Sequence, residues 1–392
     1  MKSISEELNL DNKKILLRLD LNVPLINNKI TDTTRIDKIL PTLKFLISQN
    51  TKIIIVSHVG RPEGKVVKEL SLKPICHDLE MKLHQNIKLI STNIKELTSK
   101  DLFNNDDEKI VILENIRFYL EEEKNNPQFA KQLAKLADIY VNDAFSCSHR
   151  AHASIDEITN FLPCYSGLQL DSEVNALKKI TSEIKKPISC IIGGSKISTK
   201  INIIKNLIPI FDNIIIVGGM ANNIIKYMGN QIGKSLKEEN CDPIIKEIIS
   251  LSETENCKII YPQDALVGKN LNGSPETKEL GEISSDEMIL DIGPKTIGII
   301  KNIIDKSNTI LWNGPAGYFE NPSFANGSIE IAKKIIENNK SNKIYSVAGG
   351  GDTVSLLNSL NAVNDFNFVS TAGGAFLEYL EGKKLPGIKA LN

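Results

Sequence analysis

Short apolar segments rich in isoleucine and valine recur along the whole chain and alternate with longer amphipathic segments. This alternation is typical of βαβ units, in which helices connect the strands of a parallel sheet. The short segments lack an in-out alternation of their own, which indicates strands covered by helices on both faces. They lie at residues 15–21, 53–57, 110–113 and 139–142 in the first half, and at 188–192, 214–217, 258–261, 288–291, 309–312, 344–347 and 366–370 in the second.

Amphipathic segments with helical spacing lie between these strands, for example at residues 34–49, 127–137, 200–211, 328–338 and 353–360. The rhythm is interrupted over residues 162–177, where Pro163 and Gly167 precede a mixed segment. We therefore predict an α/β fold in which each half of the chain forms its own doubly wound, mostly parallel sheet, with the domain junction in this interval.

The length and composition of the chain are consistent with two globular domains. The chain has 392 residues, more than the roughly 250–300 at which a single hydrophobic core stops growing. Its hydrophobic share of 41% and charged share of 24% are those of a globular protein rather than a disordered one. The formal net charge is −1, so neither nucleic acid nor a membrane surface is an expected partner.

The sequence also predicts a cytoplasmic location. The first residues are acidic and polar where a signal peptide is basic and then apolar, and no apolar run approaches the roughly 18–20 residues of a membrane helix. The six cysteines are scattered without a Cys-x-x-Cys pair, which disfavours a zinc ribbon or a redox dithiol. We expect them to be reduced thiols.

In an open parallel sheet, ligands bind beyond the carboxyl ends of the strands. In the first half of the chain these positions are rich in arginine and histidine: Asp20, Asn22, Arg35, His58, Arg61, Glu114, Asn115, Arg117, Asp143, His149, Arg150 and His152. Any one arginine is more simply explained as a solvated surface residue. Their joint placement predicts a small, strongly anionic ligand, because the guanidinium fork matches carboxylates and phosphates.

The strand ends of the second half carry glycine instead: Gly193, Gly194, Gly218, Gly219, Gly293, Gly314, Gly349, Gly350, Gly351, Gly373 and Gly374. Glycine lets backbone amides approach a phosphate closely, and a helix N-terminus after it favours negative charge. A single glycine pair can equally form a tight turn between a strand and a helix. Six such strand ends in one half favour a nucleotide.

Two further patterns are weaker. Residues 229–235 are similar to a Walker A loop, but the pattern is one residue short and follows a helical segment rather than a strand. Cys147, His149 and His152 are of types that bind metals, yet no second cluster stands at metal spacing. Anion binding or hydrogen bonding is the favoured role for these three residues.

The strand-end motifs resemble those of the phosphoglycerate kinase family, in the same order and over essentially the full chain. In the first half they are RLDLNVPL at 18–25, SHVGRP at 57–62, LENIRF at 113–118 and VNDAF at 141–145. In the second half they are GGSKISTK at 193–200, DIGPKT at 291–296, WNGP at 312–315, GGGDT at 349–353 and STAGGA at 370–375. Some motifs are weak alone, but nine in one order are specific.

The resemblance implies two Rossmann-like three-layer α/β/α lobes joined by a hinge. A phosphoglycerate-binding lobe is expected over residues 1–166, with the tail 376–392 packing back on it, and a nucleotide-binding lobe over 167–375. The implied activity, in glycolysis and gluconeogenesis, is reversible phosphoryl transfer between ATP and the carboxylate of 3-phosphoglycerate, giving ADP and 1,3-bisphosphoglycerate. The resemblance further implies a monomer, lobe closure, and Mg²⁺ as MgATP or MgADP.

Site residues follow by motif position. The implied substrate-binding residues are Asp20, Leu21, Asn22, Arg35, His58, Val59, Gly60, Arg61, Arg117 and Arg150. The implied nucleotide-binding residues are Lys200, Gly293, Asn313, Glu320, Gly350, Gly351, Asp352 and Thr353. Asp352 is the expected magnesium ligand. The expected catalytic residues are Arg35, Lys196 and Lys200.

Phosphoryl transfer to a carboxylate suits the cationic residue types at these strand ends. A carboxylate acceptor with a pKa of ~4 is already ionised at neutral pH, so cations and positioning are needed rather than a general base. Lys196 and Lys200 are four residues apart, so a helix starting at the preceding glycines would project both from one face. The alternative for this pair is an exposed helix stripe.

The chain departs from the family pattern at three places without changing a charged position. Ser146-Cys147-Ser148 replaces a frequent Gly-Thr-Ala, and Val217 and Ala372 stand where glycine is common. We expect these departures to bear only on local loop geometry and on kinetic detail.

Two other functions agree less well with the sequence. A nicotinamide-dependent dehydrogenase is disfavoured, because the turn after the first strand has no Gly-x-Gly-x-x-Gly. A non-catalytic two-lobed protein that binds an anion or a nucleotide would not need Asp352, Lys200 and a glycine-rich second half together.

Overall fold

The computed structural model describes residues 1–105 and 107–392. In the first half of this part of the chain the strands are β1 (Lys14–Leu19), β2 (Leu25–Ile26), β3 (Lys29–Ile30), β4 (Lys52–Val56), β5 (Ile87–Ile90), β6 (Ile110–Leu113), β7 (Ile139–Asp143) and β8 (Cys164–Ser166). In the second half they are β9 (Ile188–Gly193), β10 (Asn213–Val217), β11 (Lys258–Ile260), β12 (Asp264–Gly268), β13 (Glu276–Glu279), β14 (Met288–Ile292), β15 (Thr309–Asn313), β16 (Tyr345–Gly349) and β17 (Phe368–Ser370).

Helices alternate with these strands. They are α1 (Thr34–Ser48), α2 (Lys73–Leu83), α3 (Leu120–Glu123), α4 (Pro127–Ala134), α5 (Leu168–Thr181), α6 (Ile201–Leu207), α7 (Ala221–Tyr227), α8 (Asp242–Thr254), α9 (Pro294–Lys306), α10 (Asn326–Lys340), α11 (Gly351–Ser359), α12 (Gly374–Leu380) and α13 (Pro386–Lys389). Among the described residues, no helix combines the length and the apolar character needed to cross a membrane.

The described chain divides into two compact units. Unit 1 comprises Met1–Asn175 together with Lys384–Asn392, and unit 2 comprises Ala176–Lys383. The expected limits at residues 166 and 376 differ from these divisions. The first turn of α5 still belongs to unit 1, because Leu168 N donates to Thr42 Oγ1 over 3.1 Å and Leu170 N donates to Asp143 Oδ1 over 2.9 Å.

Unit 1 is built on a six-stranded parallel sheet with the order β5-β6-β4-β1-β7-β8. Its central strands are mostly apolar; for example, Leu17 of β1 lies between Ile55 and Val141 of its neighbours. Helix α1 buries Ile36, Leu43 and other residues spaced three or four apart, which is the pattern of one apolar helix face. All six carboxyl ends lie along one edge, which is where the polar motif residues follow.

Unit 2 contains a second six-stranded parallel sheet, with the order β11-β10-β9-β15-β16-β17. Trp312 of β15 is fully buried in its core and stacks on Phe366, with ring centroids 6.2 Å apart. The predicted α/β class, with a mostly parallel sheet in each half, is confirmed.

One predicted strand belongs to a different sheet. Residues 288–291 were expected in the parallel sheet of the second half, but β14 pairs antiparallel with β12 in a separate three-stranded sheet, β13-β12-β14. The apolar character of β14 indicated burial correctly without indicating its partner. Strand β13, with the sequence Glu-Thr-Lys-Glu, carries no apolar signal.

Candidate active site

The carboxyl ends of β1, β4 and β6 bring five of the predicted substrate residues into one hydrogen-bonded network. Arg35 Nη1 donates to Asp20 Oδ1 (3.2 Å) and to the carbonyl oxygen of Asn22 (3.0 Å). The Asn22 side-chain oxygen accepts from Gly60 N over 2.9 Å, and the Gly60 carbonyl accepts from Arg117 Nη1 over 3.1 Å. The network fixes two guanidinium groups at one edge of the sheet, which favours a doubly anionic ligand.

The other predicted substrate residues divide into buried and exposed groups. Leu21, Val59 and His58 are buried, so the first two can contribute only backbone groups and packing. Arg61 and Arg150 are exposed, and in the described part of the chain their guanidinium groups have no hydrogen bond or ion pair. The two exposed side chains therefore supply positive charge that the fold itself does not use.

Sequence reasoning missed a buried layer beneath this edge. Arg18 is fully buried within β1 and lies 3.2 Å from His58, measured from Nη2 to Nδ1. Burial lowers the pKa of His58 well below its usual value, and the neighbouring charge of Arg18 lowers it further. The signal in the sequence was an arginine between leucines within an apolar run, because an arginine that is buried in a strand requires specific partners.

Two of the three residues considered as metal ligands, Cys147 and His152, lie around the same layer. Cys147 Sγ is 3.8 Å from Arg18 Nη2 and 4.0 Å from His58 Nδ1. His152 Nδ1 lies 3.9 Å from the buried carboxylate of Glu122. Burial lowers the pKa of His152 to about 3, with Arg117 and Arg18 contributing in the same direction. Both side chains thus lie in surroundings rich in positive charge.

In unit 2 the ends of β9, β15 and β16 hold a second network. Lys200 Nζ donates to Asn313 Oδ1, and the Asn313 amide nitrogen donates to the Gly349 carbonyl over 2.7 Å. Thr353 Oγ1 accepts from the backbone nitrogen of Gly314 over 2.7 Å. Burial lowers the pKa of Lys200, so this ammonium is partly removed from water.

Gly350 is required by the local backbone. Its φ is +97°, and a Cβ atom there would lie 2.6 Å from the Asn313 side-chain nitrogen. It immediately precedes α11, whose first turn contains Gly351, Asp352 and Thr353. The motif thus places a glycine turn, a helix N-terminus and a carboxylate at one strand end.

A cavity of about 520 Å³ lies on unit 2. Its walls include Gly194, Gly218, Gly219, Leu236, Tyr318 and Phe319. Glu320 and Asp352 are the predicted nucleotide residues that line it, while Lys200, Asn313 and Thr353 lie in the network just described. An apolar cavity beside a glycine-rich, lysine-bearing edge has the character of a nucleotide site.

Gly293 has a structural role that the sequence did not indicate. A Cβ atom on it would lie 2.3 Å from the Asp264 carboxyl group, whose oxygens accept from the backbone nitrogens of Lys295 and Thr296, each over 2.8 Å. A protein carboxylate therefore already caps the N-terminus of α9. Gly293 makes room for this cap and does not line the cavity.

Lys196 and Lys200 do not share a helix face, so that expectation is wrong. Helix α6 begins at Ile201, and Lys200 is its N-cap, because residues 194–200 form a loop and a turn after β9. Lys196 is exposed, whereas Lys200 is half-buried. Their spacing alone could not reveal this difference.

The Walker-like segment is a structural turn that follows α7. Ser235 Oγ donates to the Ile232 carbonyl and accepts from Ile289 N over 2.7 Å, so its hydroxyl is used within the fold. Gly233 has a φ of +54° and packs against the Glu287 carbonyl. The segment lacks the strand that precedes a phosphate loop.

A larger cavity, of about 1200 Å³, lies on unit 1. Its walls include Gly64, Val66, Lys73, Tyr119 and Leu120, and none of the ten residues expected to bind the substrate lines it. Volume alone therefore does not identify the site; the converging charged side chains do.

The donor set of unit 2 fits magnesium that enters with a nucleotide. Within the described residues, no group of three or more His, Cys, Asp or Glu side chains is arranged to hold a metal ion. Asp352 offers one exposed carboxylate at the cavity wall. Mg²⁺ is commonly held by one or two carboxylates together with substrate phosphates and water, which this arrangement permits.

Comparisons with known proteins match nearly the whole chain to one family. A family model described as phosphoglycerate kinase matches residues 5–383. The phosphoglycerate kinase of Chelativorans sp. (strain BNC1) is 42% identical over 392 residues, covering 100% of this chain and 98% of that protein. That of Wolbachia pipientis subsp. Culex pipiens (strain wPip) is 44% identical over 387 residues and covers 98% of both.

Solved structures give the same result for the fold. A structure of phosphoglycerate kinase from Coxiella burnetii has a TM-score of 0.91 at 39% identity, covering 99% of this chain and 98% of that chain. A crystal structure of the enzyme from Pyrococcus horikoshii OT3 has a TM-score of 0.83 at 26% identity, with coverage of 100% and 98%. Both the similarity in sequence and the similarity in fold thus cover nearly the whole chain.

Proposed function

The chain belongs to the phosphoglycerate kinase family, and we propose which of its residues carry out the reaction of that family. The reaction is the reversible transfer of a phosphoryl group between ATP and the carboxylate of 3-phosphoglycerate, which gives ADP and 1,3-bisphosphoglycerate. The observation that carries the assignment is the presence of two distinct networks at strand ends, one based on guanidinium groups and the other on glycine and lysine.

The guanidinium edge of unit 1 is proposed to bind 3-phosphoglycerate. This molecule carries a phosphate and a carboxylate, which the forked donors of Arg35, Arg61, Arg117 and Arg150 can hold in a fixed orientation. Asp20, already an acceptor for Arg35, has acceptor capacity left for the substrate hydroxyl. The supporting features are the network and the two guanidinium groups that the fold leaves available.

The glycine-rich edge of unit 2 is proposed to bind the nucleotide as its magnesium complex. The cavity suits the base, Glu320 at its wall suits the ribose hydroxyls, and the turn at Gly350 and Gly351 suits the phosphates. Asp352 would hold the magnesium ion, which shields phosphate charge when it is bound with the nucleotide.

For the transfer itself, the acceptor carboxylate attacks the terminal phosphorus of ATP and the bond from that phosphorus to the bridging oxygen of ADP breaks. No proton needs to be removed from the carboxylate at neutral pH. Arg35 and Lys200 are proposed to contact the transferring group, with Lys196 nearby. Cations fixed before the reaction can stabilise the negative charge of the transition state without reorganising.

Since each substrate is assigned to a different unit, the transfer also requires the two substrates to be brought together with exclusion of water. We propose closure of the two lobes as this step. A decrease in the radius of gyration, measured by X-ray scattering when both substrates are present but not with either alone, would support it; no change with both would contradict it.

A coupled turnover assay with MgATP and 3-phosphoglycerate tests the activity, with other phosphorylated hydroxy acids as controls. Transfer that is specific for 3-phosphoglycerate is expected. Calorimetric binding of both substrates without turnover would instead support the non-catalytic alternative. Light scattering tests the accompanying proposal of a monomer, and localisation in cells tests the proposed cytoplasmic location.

A further inference from the structure

A chain of buried polar side chains lies beneath the guanidinium edge of unit 1. Arg18 in β1 and Glu122 in α3 are both 0% exposed. Arg18 Nε donates to Ser154 Oγ over 2.9 Å, and the Ser154 hydroxyl donates to Glu122 Oε1 over 2.6 Å. The Ser154 backbone nitrogen also donates to Glu122 Oε2 over 2.9 Å. Ser154 thus links the buried guanidinium of Arg18 to the buried carboxylate of Glu122. These contacts hold the Arg18 side chain in place.

The outer end of Arg18 meets His58. Arg18 Nη2 lies 3.2 Å from His58 Nδ1. A guanidinium has donors only, so His58 Nδ1 is the acceptor and carries no proton. The other neighbour of this nitrogen, Cys147 Sγ at 4.0 Å, is a weak partner by comparison. In a neutral ring the single proton then lies on Nε2.

Among the described residues, no group accepts that proton. In the described part of the chain, both polar contacts of His58 are made by Nδ1, and Nε2 has no hydrogen bond. The burial and positive surroundings that lower the pKa of His58 keep the ring neutral near pH 7. The ring therefore keeps one N–H donor that is available to a ligand.

We propose that Arg18, supported by Ser154 and Glu122, is a positioning residue that holds His58 in the Nε2–H tautomer, so that His58 presents a donor to an oxygen of the anionic substrate. This proposal rests on the assignment of His58 to substrate binding made above. Arg18 itself does not contact the substrate, because its three nitrogens donate to Ser154, to the Leu19 carbonyl and to His58.

Nitrogen NMR of the full chain labelled with ¹⁵N-histidine tests the tautomer. The chain has five histidines, and the His58 signals are identified by their loss in His58→Gln. The wild type is expected to show an unprotonated Nδ1 and a protonated Nε2 at neutral pH. The double variant Arg18→Met/Glu122→Gln is expected to show both tautomers. Removing both buried charges together avoids leaving one unpaired, which limits the loss of folding stability.

The same double variant is then assayed for turnover. Its KM for 3-phosphoglycerate is expected to rise roughly 10- to 100-fold with a smaller change in kcat, because a hydrogen bond to a charged ligand is lost. Arg117→Met is the matched control for the spectrum. It removes a charge that acts on His58 without removing a hydrogen bond to it, so the Nε2–H tautomer should remain.

A proton on Nδ1 in the wild type would overturn the proposal, as would a double variant that keeps the Nε2–H tautomer fully. A double variant that loses the Nε2–H tautomer but keeps the wild-type KM for 3-phosphoglycerate would also overturn the proposal, because the position of His58 would then not matter for substrate binding. A separate result would show that His58 does not bind the substrate at all. In that case 3-phosphoglycerate would not shift the Nε2 signal of the wild type, whichever tautomer is present.

Discussion

Arg35 is a residue at which catalysis and folding can be separated. Its side chain is partly exposed, and its contacts with Asp20 and Asn22 are made at the edge of the sheet rather than in the core. We expect Arg35→Met to lower kcat by roughly 10²–10³-fold, as for loss of one preorganised donor to a transition state. Thermal unfolding should change little, since surface ion pairs contribute roughly 0–1 kcal/mol.

Lys44→Met is the control for that variant. Lys44 is exposed on the same helix, α1, and lies outside the proposed site. Its turnover and unfolding temperature should both match the wild type. An Arg35→Met enzyme with near-normal kcat would remove Arg35 from the proposed catalytic group.

At the residue scale, the sequence identified side chains better than it identified their surroundings. Arg35, Asp20 and Asn22 stand at strand ends in the sequence, and the structure joins them in one network. The Glu122 to Arg18 connection could not be found in this way, because it joins residues 104 positions apart. Only the folded sheet brings such distant residues together.

Among the elements, β9 and the turn after β15 depend on a close approach of two backbones. A Cβ on Gly193 would lie 2.3 Å from the Pro315 carbonyl oxygen. We expect Gly193→Ala to lower the free energy of unfolding by ~1–3 kcal/mol, as overpacking does, and to weaken MgADP binding because the strand end must move. Urea unfolding and calorimetry measure the two effects.

Gly298→Ala is the matched substitution. Gly298 lies inside helix α9, and a Cβ there has no atom within 4 Å. Replacing it should raise stability by ~0.5–1 kcal/mol, because alanine favours a helix interior. If both glycine variants changed stability equally, the steric explanation for Gly193 would be wrong.

The start of helix α5 should make stability depend on pH. Asp143 at the end of β7 accepts from Leu170 N in the first turn of α5, and burial raises its pKa to about 7. In the unfolded chain this carboxyl ionises near ~4. The folded state therefore binds the extra proton, and its stability falls as the pH rises from about 4 to 7.

Asp143→Asn removes this titration. Relative to the wild type, its free energy of unfolding should increase by about 2–3 kcal/mol between pH 5 and pH 8, measured by urea unfolding at both. A pH-independent difference between Asp143→Asn and the wild type would contradict the raised pKa.

Element by element, the sequence predicted long apolar or amphipathic segments and missed short or polar ones. Helix α1 was predicted at 34–49 and lies at Thr34–Ser48. Strands β5 and β8, which have four and three residues and form the edges of the first sheet, were not predicted. The turn at Lys196 was mistaken for helix because spacing does not show where a helix starts.

For the whole molecule, the repeated βαβ pattern predicted one mostly parallel sheet in each half, but it did not predict that each sheet has six strands. Their different strand ends also explain why a chain with net charge −1 can serve two anionic substrates. Local placement of arginine, lysine and glycine, rather than overall charge, provides the binding groups. The limits of the units were less predictable, because α5 is continuous across the division at Asn175 and Ala176.

Each unit is proposed to bind its own substrate through its own network. Crossed calorimetric titrations test it most directly, with 3-phosphoglycerate and MgADP each titrated into wild type, Arg35→Met and Lys200→Met. We predict that Arg35→Met weakens only 3-phosphoglycerate binding and that Lys200→Met weakens only MgADP binding. Loss of both ligands in either folded variant, or of the opposite ligand, would contradict the account.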